Sequence, residues 1–123
     1  MLNNVYKLFF SRLFLFKGRS NRKEYIVRIL LHTTIIVIWT YTIDTYGNED
    51  TLFSFLYVIS LGSIGILMFL QYFPLAVRRF HDLNASGWWV LLSFLPFGQV
   101  VILWLMFKKG TSGINKYGEE PLN

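Results

Sequence analysis

The chain has 123 residues, room for one domain, and is 54% hydrophobic but only 15% charged, against roughly 25% charge in a typical soluble domain. Its net charge of +5 lies wholly in residues 1–25, where six cations face the single acid Glu24, while the rest balances six cations against six acids. No cysteine is present, which excludes disulfides and cysteine-ligated metal sites, and two histidines with few carboxylates offer little to any other metal.

The apolar residues are clumped into three long runs, more than a soluble domain of this size has interior to hide. The pattern predicts one membrane domain over 1–123. It is an all-α integral membrane protein with an N-terminal interfacial amphipathic helix, two transmembrane helices and a third, proline-broken apolar segment. A high isoelectric point also suits nucleic acid, but no recognition motif accompanies the basic residues, so no nucleic-acid partner is expected. A basic arm beside a membrane span instead attracts anionic headgroups, at about 1 kcal/mol per cation near the surface.

Residues 2–16 are expected to form the amphipathic helix. Leu2, Val5, Tyr6, Phe9, Leu13 and Phe16 share one face, with Asn4, Lys7 and Ser11 opposite. Gly18 ends it within a basic turn, and Ser20 or Asn21 is placed to cap the next helix. The first span is expected over 25–43. No small-residue cleavage site follows it, so it reads as an uncleaved anchor. An acidic loop, Asp44 to Asp50, leads to the second run, 52–77, which at ~1.5 Å per residue reaches ~39 Å, longer than the ~30 Å hydrocarbon core. Pro74 marks an expected bend near its exit. Ser60, Gly62, Ser63 and Gly65 give it a small-residue face suited to close helix approach. Basic arm, acidic loop and the Arg78-Arg79 pair together predict a multi-pass protein with a cytoplasmic N-terminus.

The third run, 87–107, is long enough for one crossing, at ~31 Å. Leu95-Pro96-Phe97-Gly98 interrupts it, however, and a crossing would leave Lys108, Lys109 and Lys116 outside. A third span and a re-entrant hairpin both remain open. The tail, 108–123, is polar and glycine-rich, and is expected either to move freely or to be pinned by specific contacts.

Three stretches carry the chain's specific chemistry: Gly18-Arg19-Ser20-Asn21-Arg22-Lys23-Glu24-Tyr25, Arg78-Arg79-Phe80-His81-Asp82 through Ser86-Gly87-Trp88-Trp89, and Gly113-Ile114-Asn115-Lys116-Tyr117-Gly118. In this order and spacing they resemble the small bacterial inner-membrane proteins catalogued as domain of unknown function 805. The resemblance covers nearly the whole chain. It implies a protein of the bacterial cytoplasmic membrane with cytoplasmic N-terminal and central motifs, and it implies no catalytic residues.

The candidate polar belt or anion-binding site comprises Arg19, Arg22, Glu24, Arg78, Arg79, His81, Asp82, Asn84, Asn115 and Tyr117. His81 and Asp82 invite a general-base reading, but helix neighbours diverge by ~100° and do not face one another. If the third run is a hairpin, Asp82 is expected to pair with an arginine of the basic turn. Within the spans, Arg28, His32 and Gln71 are the polar candidates. Arg28 is shallow enough to pair with Glu24 or snorkel to the phosphates, and His32 and Gln71 match in depth, so a hydrogen bond between the helices is expected. Trp88 and Trp89, like Trp39, Tyr41 and Tyr46 at the far end, suit interface anchoring, and Ser86-Gly87 suits a helix cap. No phosphate-cradling loop, nucleophile elbow or cofactor motif is present.

These features predict a non-enzymatic scaffold, accessory or envelope-response protein. Its basic cytoplasmic face contacts anionic lipid or a partner, which includes a second copy or another membrane protein. The alternatives are a small oligomeric transporter or channel, and an interfacial enzyme acting on a lipid headgroup through His81 and Asp82.

Overall fold

The computed structural model describes residues 14–46 and 51–121, which hold helices and no named strand. Helix α1 spans Arg22–Tyr46 and α2 spans Thr51–Asp82. A 3-10 helix follows over Gly87–Phe94, then α3 over Gly98–Phe107. Both α1 and α2 are long and apolar enough to cross a membrane. Most of the amphipathic helix expected over 2–16 lies outside the described residues. Its last residues, Phe14, Leu15 and Phe16, are non-helical and exposed.

Local signals set the helix ends. Asn21 caps α1, its Oδ1 accepting from the Glu24 N–H at 2.7 Å, which satisfies one of the donors that a helix N-terminus leaves open. Helix α2 runs past its expected end at Val77, with Pro74 buried inside it. It stops where Asn84 adopts φ 58°. The Ala85 N–H reaches back to Phe80 O at 2.9 Å and the Asn84 N–H to His81 O at 3.0 Å. That pair of bonds is a Schellman closure, with asparagine in the left-handed position usually given to glycine. Ser86 makes no side-chain cap, contrary to expectation; only its carbonyl is used, by the Trp89 N–H at 3.2 Å.

The third apolar run is neither one continuous helix nor two α-helical halves. Its 3-10 arm, at ~2.0 Å per residue, rises ~16 Å, and α3, at ~1.5 Å per residue, rises ~15 Å. Arms of nearly equal reach fold back about Leu95-Pro96-Phe97, closed by the Gly98 N–H on Leu95 O at 2.8 Å. Gly98 is required there, since a Cβ would stand 1.9 Å from Ser93 O. The hinge leans on α2: Tyr72 donates to Ser93 Oγ at 2.9 Å, and Phe73 stacks on Phe94 at 5.3 Å.

The apolar core is small: Tyr25 from α1, Leu75, Ala76 and Phe80 from α2, Val90 from the 3-10 arm and Leu105 from α3. It gathers where α1 begins and α2 ends. Toward their other ends, α1 and α2 expose Val37, Ile38, Leu56 and Val58, and they touch through Trp39 stacked on Tyr57 at 6.0 Å.

Candidate functional site

Beside that apolar cluster an equally buried polar one closes the fold. Arg19, Arg28, Arg78, Arg79 and Asp82 are each no more than 5% exposed. Charges are excluded from water only when paired and hydrogen-bonded, and the pairing here is dense. Asp82 Oδ1 accepts from Arg19 Nε at 3.1 Å and Nη2 at 3.0 Å, and Oδ2 accepts from Arg79 Nη1. Arg79 also donates from Nε to Leu105 O at 2.9 Å and from Nη2 to Lys108 O. Both carbonyls close α3, where the backbone carries partial negative charge and lacks helical partners. Arg19 spends its remaining donors on Thr111 O, Gly113 O and Gly118 O.

The tail returns the favour to α2. The Thr111 N–H and Oγ1 both donate to Asp82 O, at 2.8 and 2.9 Å, and Asn115 Nδ2 donates to His81 O at 2.9 Å. Ser20 N–H takes Arg78 O at 3.1 Å. The terminal carbonyls of His81 and Asp82 are thus closed by the tail, and the basic turn adds a bond to Arg78 O, further in along α2. The tail is pinned, and its own turn, an Asn115 side chain accepting from the Tyr117 N–H at 2.8 Å, presents the Tyr117 ring to His81. The two rings stack at 3.8 Å, 9° from parallel.

His81 Nδ1 lies 3.1 Å from Gly18 O, a contact that only a protonated Nδ1 satisfies, so Nε2 is the accepting nitrogen of the neutral ring. Both Asp82 oxygens are held by arginines, and the carboxylate does not orient the imidazole. Glu24 forms the second charged node: its Oε1 accepts from Arg28 and Arg78, each at 3.0 Å, and its Oε2 from Ser20 Oγ at 2.8 Å. Arg28 is therefore buried against Glu24 and does not snorkel. Deeper along the pair of helices, His32 Nε2 meets Gln71 Oε1 at 3.3 Å.

Of the residues singled out in the sequence, Arg19, Glu24, Arg78, Arg79, His81, Asp82, Asn115 and Tyr117 come together. Arg22 and Asn84 are exposed, and Asn84 serves the backbone of the α2 terminus rather than the cluster. Two participants were missed. Thr111 is a polar residue in a polar tail, with nothing to distinguish it. Gly110 passes so close to the belt that a Cβ would sit 2.0 Å from Asp82 Oδ2; its only sequence signal is the ordinary one of a glycine after a helix.

A family model described as protein of unknown function (DUF805) matches residues 13–119. The inner membrane protein YhaI of Escherichia coli strain K12 is 38% identical over 107 residues, covering 86% of this chain and 85% of the relative. The inner membrane protein YhaH of the same strain is 34% identical over 111 residues, covering 86% of each. No solved structure matches the chain.

Proposed function

The chain belongs to the DUF805 family of proteins of unknown function, and for this member we propose a non-enzymatic role in the bacterial cytoplasmic membrane. It acts as a scaffold or accessory protein whose basic cytoplasmic face contacts anionic lipid or a partner protein. The observation that carries this reading is where the polar atoms of the motifs go. Arg19, Arg79 and Asp82 spend theirs on one another and on backbone carbonyls. A general base needs an orienting partner and a reachable substrate proton; His81 has a carbonyl and a stacked tyrosine, and its neighbouring carboxylate is taken. Motifs used in this way build a rigid platform.

What the platform presents is charge. Arg22, Lys23, Lys108, Lys109 and Lys116 are all exposed at the end of the molecule where α1 starts and α3 stops. The acidic residues Asp44, Glu49 and Asp50 lie in and beside the connection at the far ends of α1 and α2. With the positive-inside trend, this supports a cytoplasmic platform and a re-entrant third segment, with the exposed lysines toward an anionic leaflet.

The test is lipid selectivity of the intact protein in nanodiscs mixing phosphatidylglycerol with phosphatidylcholine. Wild type is expected to enrich phosphatidylglycerol around itself. Replacing Lys23, Lys108, Lys109 and Lys116 together by glutamine is expected to abolish the enrichment while leaving the thermal midpoint unchanged. Enrichment that persists in the quadruple variant defeats the reading. So does a lipid-modifying turnover that depends on His81.

A further inference from the structure

A cavity of about 580 Å³ opens between the basic turn, the end of α2 and the tail, and its walls carry charge that the fold leaves unused. Arg78 lines it from within, 1% exposed. One of its nitrogens, Nη2, is on Glu24, but the buried Nε has no hydrogen-bond partner among the described residues. A buried guanidinium N–H without an acceptor is costly, on the order of 1–3 kcal/mol or more, and a ligand oxygen would remove that cost. Glu24 does not supply it: its Oε1 meets Arg78 at Nη2, and its Oε2 accepts from Ser20 Oγ. Lys17, exposed, stands at the same cavity as a second cation.

The same lining also carries carboxylates. Glu119 and Glu120 line it from the tail, both exposed, and Oε2 of Glu120 accepts from the Gly113 N–H at 2.7 Å. One hollow thus offers cationic donors from the basic turn and α2 and carboxylate acceptors from the tail. Its lining includes Leu15, which with its neighbours Phe14 and Phe16 forms an exposed apolar segment beside the cavity.

We propose that this cavity binds the headgroup of a zwitterionic aminophospholipid. The phosphodiester lies against Arg78 and Lys17, the primary ammonium reaches Glu119 and Glu120, and the acyl end leaves past Leu15. A guanidinium presents adjacent N–H groups in a plane matched to phosphate oxygens. A primary ammonium brings three donors to the carboxylates. A headgroup with phosphate but no amine leaves two carboxylates facing an anion, and a trimethylammonium has no N–H to donate. The apolar segment beside the cavity selects a lipid over a free phosphoamine. Selectivity here goes beyond the general attraction of the exposed lysines for anionic lipid, and it rests on different residues.

The experiment is native mass spectrometry of the full-length protein released from detergent. It carries equimolar phosphatidylethanolamine, phosphatidylglycerol and phosphatidylcholine, with soluble glycerophosphoethanolamine in a separate arm. Phosphatidylethanolamine is expected to be retained about tenfold over the other two, the ratio one lost charge-assisted bond represents. Glu119→Gln combined with Glu120→Gln, both at exposed positions, is expected to bring that ratio near one. Arg78→Lys is expected to weaken retention of phosphatidylethanolamine. Should it fail to fold, the glutamate pair still decides. Equal retention of the three lipids by wild type overturns the proposal, as does a preference that survives the glutamate substitutions. Displacement of the lipid by equimolar glycerophosphoethanolamine overturns the lipid source. The lysine quadruple variant used for bulk enrichment is expected to keep the phosphatidylethanolamine preference, which separates failure of one idea from failure of the other.

Discussion

Asp82 joins the basic turn, α2 and the tail. Two buried arginines hold its carboxylate, and a threonine closes its carbonyl. Breaking a buried ion pair from one side leaves an uncompensated charge and costs about 3–5 kcal/mol. Asp82→Ala is therefore expected to destabilise the protein by that order, read as a drop in its unfolding midpoint in mild detergent. Because two arginines lose their partner at once, Asp82→Asn should recover only a small part. Gly110 depends on the same geometry from outside. A Cβ at 2.0 Å from Asp82 Oδ2 cannot be relieved by rotating the carboxylate, since both oxygens are held. Gly110→Ala is expected to cost about 1–3 kcal/mol, measured in the same way, whereas alanine at the open Gly62 position should cost nothing by crowding. Asn84 gives a third contrast: glycine there should be tolerated and valine should destabilise, since a β-branched side chain resists φ 58°.

At the scale of elements, the hairpin is the decisive feature. Its two arms return the chain to the end of α2, so that Leu105 and Lys108 carbonyls meet Arg79. Cysteines placed singly at Lys17 and Lys116, both exposed, are expected to react with a membrane-impermeant reagent from the same side, and a cysteine at Asp44 from the opposite side. Labelling of Lys116 and Asp44 positions from one side would refute the re-entrant arrangement. The helix pair offers a smaller test. His32 and Gln71 at 3.3 Å should show a coupling near ~0.6 kcal/mol in a double-mutant cycle to leucine, the average for such bonds in a bilayer.

At the scale of the whole molecule, apolar and polar burial share one end. Six apolar side chains are buried among the described residues, a small core, and beside it the arginine belt ties basic turn, helix end and tail together. That end is bound from both sides, while the remainder of α1 and α2 exposes apolar side chains over spanning length.

Much of this was legible in the chain itself. Two apolar runs of spanning length, the cap at Asn21, the depth match of His32 with Gln71 and the Glu24–Arg28 pair all follow from spacing along one helix or between two, where geometry is regular. Family membership was equally legible, because three short motifs in fixed order carry it. The third apolar run was not decided by its residues: its length suits a crossing, its lysines and proline suit a hairpin. Only the tertiary structure chose, by offering the α3 carbonyls to Arg79 and the tail to Arg19. The same contacts turned His81-Asp82 from a candidate catalytic pair into a stacked ring and a locked carboxylate. Those partners come from residues far apart in the chain, and no local pattern encodes a contact that exists only once three distant segments have met.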